Sequence, residues 1–427
     1  MPRSGDVGVS SPPMAASPDF EAAALDALDP EALIRDAAAA IRVPSVTGYE
    51  REVLELLAAL AQERGLAVDL HEHDLAALRR HPAQPGSEAP RDELWGLTAT
   101  RHGGARRLCL NGHVDVVGPG TAPWSGGPWT GALERGRLSG RGAVDMKGAV
   151  VAALHAVAAV QAAAGSTRGP TVVLQCVSSE EDGGLGTFAE LGRDGAFDAC
   201  LIPEPTGFDV VCAQAGAMTF SGTIPGRSAH AAHRLEGCSA IDRYVAVHAA
   251  LKEHERRVNA EPTHPLMRAL ELPYPLLVGR VTGGEWSSQV PDRVDFTVRV
   301  GVPVGDAVED ARLAVEAVVR AALDDGEAPA TIAWDGGCYA PAQTPPDDPW
   351  VAFVCGAVEA ELHRPASVAG VPWGADMRLF TARCIPCTMV GTTGIERAHA
   401  VDEWVAVDEL DTLARVLVRA IVRFGGG

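Results

Sequence analysis

The sequence predicts an α/β protein in which a mostly parallel sheet domain is interrupted by a smaller α+β domain. A continuous apolar run at residues 171–177 is typical of a central strand buried on both faces. Helical segments alternate with short apolar segments on either side of this run, as they do in parallel sheets. Between residues 214 and 335 the order of predicted elements becomes β-α-β-β-α-β, which is the ferredoxin-like arrangement.

The parallel-sheet part begins with helical periodicity at residues 19–42 and 49–65, and Gly65 ends the second helix. The polar, proline-containing stretch 71–92 predicts a loop. The other elements of this part are predicted as strands at 95–100, 107–110, 171–177, 198–202 and 385–390, and as helices at 147–164, 350–363 and 409–424.

The interrupting part shows strand-like alternation and two helical segments. Its strands are predicted at 217–224, 275–281, 293–302 and 330–334, and its helices at 238–256 and 306–324. The expected regions are a disordered tail at 1–18, a catalytic domain at 19–213 and 336–427, and an inserted domain at 214–335.

The composition is typical of a globular protein. The chain has 427 residues, of which 47% are hydrophobic, and its formal net charge is −20. No basic cluster stands out, so we expect no nucleic-acid partner. No apolar run is long enough to span a bilayer, and residues 1–18 lack the apolar core of a signal peptide. The nine cysteines lie scattered in apolar segments, which favours reduced thiols and a cytoplasmic location.

His113 and Asp115 follow the apolar strand segment at 107–110. Because residues i and i+2 share a face of a strand, the two side chains are expected to point the same way. Asp115 can then accept a hydrogen bond from one imidazole nitrogen of His113 while the other nitrogen binds a metal. For an isolated His-x-Asp sequence, a strand-end histidine beside a solvated aspartate is the commoner explanation.

Further candidate ligands also follow predicted strands or stand in turns: Asp145, Glu180, Glu181, Glu204 and His399. Each has an ordinary explanation alone, such as an acidic loop that caps a helix. Parallel sheets nevertheless bring such positions together at one edge, where ligands bind. Five ligands of the His and carboxylate type cannot all serve one tetrahedral zinc, but two divalent ions with a bridging carboxylate can use them. The sixth group would then be a general base.

Several motifs together resemble the dinuclear-zinc aminoacylase/carboxypeptidase family, in its acetylornithine deacetylase/succinyl-diaminopimelate desuccinylase branch. The motifs are His113-x-Asp115, Gly140-Arg-Gly-Ala-Val-Asp145-Met-Lys-Gly148, Glu180-Glu181, Glu204, Gly226-Arg-Ser-Ala-His230, and His399 followed by Glu403. The resemblance covers nearly all of the chain after the tail. It implies a zinc-hydrolase catalytic domain with an inserted ferredoxin-like dimerisation, or lid, domain.

The resemblance implies a role for each candidate. The first zinc ion would be held by His113 and Glu204, the second by Glu181 and His399, and Asp145 would bridge the two. Glu180 would be the general base, Asp115 would orient His113, and the Asp145–Met146 peptide bond would be cis. Two divalent ions per chain are therefore expected, with zinc implied and cobalt or manganese also compatible with these ligands.

The implied activity is hydrolysis of an amide bond in a small carboxylate-bearing N-acyl amino acid, as in acetylornithine deacetylase. Water activated by the metal pair would attack the carbonyl with Glu180 as the base. Arg378 falls where the deacetylase branch has Asp-Met-Arg, so the resemblance makes it the candidate clamp for the substrate carboxylate, and its planar fork suits bidentate binding; a surface salt bridge is the alternative. The competing activities are a dipeptidase or carboxypeptidase and a deformylase of another N-acyl amine. A pseudoenzyme that only binds a ligand is disfavoured by the presence of Glu180.

The resemblance also implies a homodimer. In related enzymes the insert dimerises, and the histidine that matches His230 reaches the partner's site to stabilise the developing oxyanion. The predicted four-stranded sheet of the insert has an open edge, and such edges tend to be paired or covered. We therefore expect His230 to act in the partner's site, against the simpler alternative of a surface or core histidine.

Overall fold

The computed structural model describes residues 18–164 and 169–425. Its strands are β1 Ala67–Glu72, β2 Trp95–Arg101, β3 Gly104–His113, β4 Ala132–Glu134, β5 Arg137–Ser139, β6 Pro170–Val177, β7 Ala199–Ile202, β8 Val210–Gln214, β9 Gly216–Pro225, β10 Leu276–Gly283, β11 Arg293–Val302, β12 Thr331–Ala333, β13 Cys338–Tyr339, β14 Ala342–Gln343, β15 Val368–Val371, β16 Cys387–Met389 and β17 Trp404–Ala406. Its helices are α1 Pro18–Asp26, α2 Pro30–Arg42, α3 Arg51–Glu63, α4 Leu75–Arg80, α5 Lys147–Ala164, α6 Leu185–Arg193, α7 Ala240–Val258, α8 Val308–Ala322, α9 Pro349–Leu362, α10 Met377–Thr381 and α11 Val407–Phe424.

The larger sheet has the strand order β1-β2-β6-β3-β7-β16-β8-β14, with β15 paired to β8. Its four central strands, β6, β3, β7 and β16, are mutually parallel. Strand β2 pairs antiparallel with β6 on one side, and β8 pairs antiparallel with β16 on the other. Every residue of β6 is buried, as the apolar run at 171–177 predicts for a central strand. The predicted α/β fold with a mostly parallel sheet is therefore confirmed.

The helices of this part bury their apolar faces against the sheet and against one another. Helix α5 is apolar on all sides because it lies between β3 and the helices α1, α2 and α11. Strand β3 and α5 approach closely at Gly112, where an added Cβ would lie 2.8 Å from Val150 Cγ2. Helix α11 is amphipathic, and its apolar face is buried. These contacts hold the end of β3 and the start of α5 together.

A second sheet has the order β10-β11-β9-β12 and is antiparallel throughout. With α7 following β9 and α8 following β11, this is the predicted ferredoxin-like arrangement. It has its own core, which includes Phe220, Phe296 and Val298. Strand β13 also pairs with β9, so the sheet continues beyond the predicted insert boundary at 335. The exact limits of the two domains remain a prediction.

Some local predictions differ from the structure. The stretch 71–92, expected to be a loop, contains the end of β1 and helix α4. The single helix expected at 19–42 is two helices, because Asp29 caps a new helix that starts at Pro30. The predicted tail lies outside the described residues except for Pro18, the first residue of α1. Within the described ranges, no helix is long and apolar enough to cross a membrane.

Candidate metal centre

The carboxyl ends of the four parallel strands meet at one edge of the sheet and bring the predicted ligands together. Strand β3 ends in His113, Glu180 and Glu181 follow β6, Glu204 follows β7, and His399 lies in the segment after β16. Asp145 lies in the turn between β5 and α5. Loops from this edge of a parallel sheet form ligand sites in many α/β proteins.

Asp145 lies between two pairs of side chains. Its Oδ1 is 3.0 Å from His113 Nε2, and its Oδ2 is 3.4 Å from His399 Nε2. Glu204 Oε1 is 3.8 Å from His113 Nε2. Glu181 Oε2 is 3.1 Å from His399 Nε2. The ligands therefore form two sets, His113 with Glu204 and His399 with Glu181, and the two oxygens of Asp145 face one set each.

The backbone around Asp145 is held by Glu403, which is completely buried. Its Oε1 accepts hydrogen bonds from the N–H groups of Val144 and Asp145, at 2.8 and 3.3 Å. Its Oε2 accepts one from Arg141 Nη1 at 2.7 Å. The Asp145–Met146 peptide bond is cis, as predicted. The sequence resemblance includes Glu403, but nothing in its spacing indicates these contacts.

Asp115 contacts His113 differently from the sequence prediction. His113 Nδ1 lies 2.8 Å from the backbone carbonyl oxygen of Asp115, whereas the Asp115 carboxylate is 3.6 Å away. The carboxylate instead accepts hydrogen bonds from the N–H groups of Glu180 and Glu181, both at 3.1 Å, and from Thr47 Oγ1 at 3.2 Å. Because β3 ends at His113, Asp115 lies beyond the strand, and the alternation of side chains between the two faces of the sheet does not extend to it. Asp115 therefore orients the ring through its main chain and the glutamate loop through its side chain.

Arg378 and His230 belong to neither ligand set. Arg378 is only 4% exposed, which excludes the surface salt bridge considered from the sequence. It donates to the carbonyl oxygens of Ala375 and Gly183 and to the Asp376 carboxylate. His230 is exposed in the loop after β9, where its Nδ1 accepts a hydrogen bond from Ala232 N. In the described part of the chain, neither residue contacts the two ligand sets.

A family comparison matches this chain over residues 109–423 to the model of peptidase family M20/M25/M40. The chain belongs to this family. Two relatives of this M20/M25/M40 chain are succinyl-diaminopimelate desuccinylases. The one from Methylocella silvestris is 28% identical over 389 residues, covering 88% of this chain and 94% of the relative. The one from Methylobacterium nodulans is 28% identical over 411 residues, covering 89% and 93%.

Solved structures share the M20/M25/M40 fold. The di-peptidase Dug1p of Saccharomyces cerevisiae aligns with a TM-score of 0.76 at 13% identity, covering 96% of this chain and 99% of that one. Human carnosine dipeptidase 1 aligns with a TM-score of 0.72 at 14% identity, covering 97% and 100%. Family membership confirms the predicted enzyme class, a metal-dependent hydrolase of amide bonds.

The electrostatics of the cluster favour bound cations. Burial raises the pKa of Glu204 to about 8 despite the charge of His113, and repulsion from Asp145 and Glu181 adds to the rise. Hydrogen bonds to Asp145 and Glu181 raise the pKa of His399 to about 10. The bare cluster therefore holds protons that divalent cations would displace. The ring orientation of His113 also leaves Nε2 facing the carboxylates, so the donor set fits a metal pair.

In this M20/M25/M40 protein, removing the metals is expected to destabilise the fold more strongly as pH rises. Without metal, Glu204 and His399 bind their protons more tightly in the folded protein than in the unfolded chain, where their pKa values are near 4.3 and 6.5. The tighter binding stabilises the fold fully at a pH below those unfolded-state pKa values. That contribution is lost as pH rises toward about 8 and about 10, respectively. Metal-loaded protein has no such protons to lose. The difference in Tm between loaded and chelated protein should therefore widen from pH 6 to pH 9. A Tm difference that stays constant or narrows over this pH range would contradict the expectation. In the chelated protein, Glu204→Gln should make Tm depend less on pH.

Asp115→Asn should weaken metal binding without unfolding the protein. An asparagine has one acceptor oxygen for the N–H groups of Glu180 and Glu181, so one of the two hydrogen bonds is lost. Replacing such supporting groups typically lowers metal affinity by about 10–100-fold. Competition with a chelator measures the affinity. Thr47→Val, which removes the remaining donor to this carboxylate, should have a smaller effect. Equal affinities for Asp115→Asn and the native protein would remove Asp115 from the support of the site.

Proposed function

We propose that this protein hydrolyses the amide bond of small, carboxylate-bearing N-acyl amino acids at a pair of divalent ions. Zinc is the proposed metal, and the proposed ligands are His113, Asp145, Glu181, Glu204 and His399. The observation that carries the proposal is the arrangement of two His–carboxylate sets on opposite oxygens of one aspartate. Bound there, the metals would activate water and polarise a carbonyl group.

Glu180 is the proposed general base. It is 8% exposed and belongs to neither ligand set, and its carboxylate makes no hydrogen bond or ion pair with any described residue. Burial raises its pKa well above the usual range, against the opposing charge of His113. Its backbone is fixed on both sides, by the Asp115 carboxylate at its N–H and by the Tyr339 hydroxyl at its carbonyl. A carboxylate held in this way can take a proton from water and pass it to the departing amine.

The proposed substrate is an N-acyl amino acid with a free carboxylate. The curated relatives named above are desuccinylases, which supports an N-acyl amino acid as substrate. Acetylornithine-like substrates remain the leading choice from the sequence. An amine-release assay against N-acetyl, N-succinyl and N-formyl amino acids and dipeptides tests the proposal. Release from an N-acetyl or N-succinyl substrate is expected. Turnover of dipeptides alone would indicate a dipeptidase, and turnover of N-formyl amines alone would indicate a deformylase; either result would contradict the proposed deacylase.

The variant Arg378→Lys tests whether Arg378 binds the substrate carboxylate or only stabilises the fold. A point charge cannot reproduce a bidentate fork, so a clamp predicts that KM rises while Tm and metal content stay unchanged. Arg378 also has buried contacts that stabilise the fold, with the Ala375 and Gly183 carbonyls and with the Tyr339 ring. We expect KM for carboxylate-bearing substrates to rise at least several-fold. An unchanged KM with a lowered Tm would assign Arg378 to the fold alone.

We further propose a homodimer that acts in the cytoplasm. Strand β10 is an edge of its sheet, and it exposes Leu277 and Val281, which are 63% and 51% exposed. On the neighbouring helix α7, Ile241 and Val245 are 41% and 60% exposed. An open edge with apolar side chains is suited to a second copy of the chain. All nine cysteines are free thiols, which supports a reducing compartment.

A further inference from the structure

A second group of metal-binding side chains lies outside the proposed catalytic centre. His71 lies near the end of edge strand β1, and His73 is the first residue after it, where its N–H still donates to the Leu94 carbonyl of the neighbouring segment at 2.8 Å. The two rings are adjacent, with centroids 4.7 Å apart. Glu190, on helix α6, reaches the same place. One ligand atom from each of the three residues lies within 4.8 Å of the other two. The sequence pattern predicts a loop for the stretch that carries the two histidines, and a loop prediction does not pair them with Glu190.

The three ligand atoms converge above Gly96 of strand β2. Gly96 pairs directly with His71 in the antiparallel register of β1 and β2. A Cβ added at Gly96 would meet Glu190 Oε1 first, then His73 Nε2 at 2.7 Å and His71 Nε2 at 3.2 Å. The missing side chain therefore leaves a small space that the three ligand atoms surround.

These atoms are within ion-pair distance of one another, but no well-aligned hydrogen bond joins Glu190 Oε1 to either ring in the described residues. Glu190 Oε1 lies 2.8 Å from His71 Nε2 and 3.3 Å from His73 Nε2. Nevertheless, both Glu190 Oε1 and His73 Nε2 lack a hydrogen-bond partner among the described residues. The Glu190 and His73 side chains are 1% and 4% exposed. Buried polar atoms almost always have a well-aligned partner, so two atoms that lack one and face the same space suit a cation held between them.

We propose that His71, His73 and Glu190 bind a divalent transition-metal ion, with Zn²⁺ the best match, at a site separate from the catalytic pair. Two imidazoles and one carboxylate are common zinc ligands, and bonds of about 2.0–2.2 Å in a tetrahedron place donor atoms roughly 3.3 Å apart. The separation of Glu190 from His73, 3.3 Å, matches that value, and the separation of Glu190 from His71 is 2.8 Å. His71 Nδ1 also lies 3.2 Å from the Asp69 carbonyl oxygen, which leaves Nε2 for the metal.

Arg193 occupies the solvent side of this site. Its Nη1 contacts both ring nitrogens of His71 and lies 3.6 Å from Glu190 Oε2, and its Nη2 pairs with Asp69 at 2.8 Å. The Arg193 side chain is 42% exposed, so it can move aside without disturbing the core. Metal binding requires that movement, because a guanidinium against His71 Nε2 and a cation compete for the same lone pair. Arg193→Ala should therefore bind the metal at least as tightly as the native protein.

The site has a structural consequence. Helix α6 begins at Leu185, directly after the loop that carries Glu180 and Glu181. Strand β1 is joined to the sheet on one side only, through β2. A metal held by β1 and α6 would tie the exposed edge of the sheet to the helix that follows the catalytic loop. Its expected effect is on stability, since none of its ligands belongs to the proposed catalytic machinery.

Gly96→Ala tests the proposal without removing a ligand. The added Cβ meets only the ends of side chains, so the ligand atoms are displaced while the backbone is unaffected. Native protein, Gly96→Ala and His73→Gln are saturated with Zn²⁺, freed of excess metal, and analysed for bound metal. Glu72→Gln, an exposed change between the two histidines, is the matched control. Both test variants should hold one equivalent less than the native protein, and Glu72→Gln should match it.

The same samples give two further readouts. The Tm rise on adding Zn²⁺ should be smaller in Gly96→Ala than in the native protein, and kcat at saturating catalytic metal should be unchanged. Because the result is a difference of one equivalent, it does not depend on how many ions the catalytic centre holds. Equal metal content in native protein, Gly96→Ala and His73→Gln would overturn the proposal, and the three side chains would then form a network without metal. If His73→Gln does not fold, the comparison of Gly96→Ala with Glu72→Gln decides alone.

Discussion

Glu180→Gln is expected to lower kcat by about 10²–10⁴-fold, the range that a general acid–base group typically contributes. Glutamine keeps the size of the side chain and the backbone hydrogen bonds to Asp115 and Tyr339, but it cannot accept the proton. The catalytic metals should remain bound, because Glu180 belongs to neither ligand set. Steady-state kinetics and metal analysis on the same sample measure both effects.

The matched control is Glu181→Gln, one residue along the same loop. The Glu181 carboxylate is 3.1 Å from His399 Nε2, so its loss should lower metal content first and activity as a consequence. The two variants thus separate a base from a ligand on adjacent residues. If Glu180→Gln loses metal and Glu181→Gln keeps it, the two roles are reversed. If both keep metal and activity, neither residue takes part in the proposed chemistry.

His230→Ala is expected to lower kcat by about 10²–10³-fold, the usual effect of removing one donor to a developing oxyanion. Within its own chain His230 is exposed, and among the described residues it contacts its own loop and the neighbouring segment at Gln289. The proposed dimer would place it in the partner's site. Metal content should be unaffected, since His230 is no proposed ligand.

Mixing inactive Glu180→Gln chains with inactive His230→Ala chains tests action across the dimer. Each mixed dimer should contain one intact site, formed by Glu180 of one chain and His230 of the other, so activity should return as subunits exchange. His233→Ala, three residues along in the same loop, is the control for a general effect on that loop. If mixed dimers form but stay inactive, His230 acts within its own chain or has no catalytic role.

The central strands, and the meeting of the candidate ligand residues at one sheet edge, could be predicted from the sequence because both depend on local patterns. The buried strand β6 appears as a continuous apolar run, and the parallel sheet then places the residues after its strands at one edge. The ferredoxin-like order could be predicted for the same reason. Short strands such as β4, β5 and β17, with three residues each, carry no periodicity that a sequence pattern could detect.

Contacts made by the main chain could not be predicted in the same way. The spacing of His113 and Asp115 indicates a pair, but only the structure shows that the carbonyl contacts the ring while the carboxylate holds the glutamate loop. Likewise, the support of Asp145 by Glu403 joins residues far apart in the chain. Which atoms meet in such cases depends on where strands end and on how the sheet brings distant segments together.

Anomalous diffraction at the zinc absorption edge, from crystals of protein reconstituted with excess zinc, tests the central claim most directly. The account predicts two peaks beside the Asp145 carboxylate, one next to His113 and Glu204 and the other next to Glu181 and His399. This measurement locates the ions, so a further ion at His71 and His73 would not be confused with them. A single peak beside Asp145, or none, would contradict the proposed metal pair.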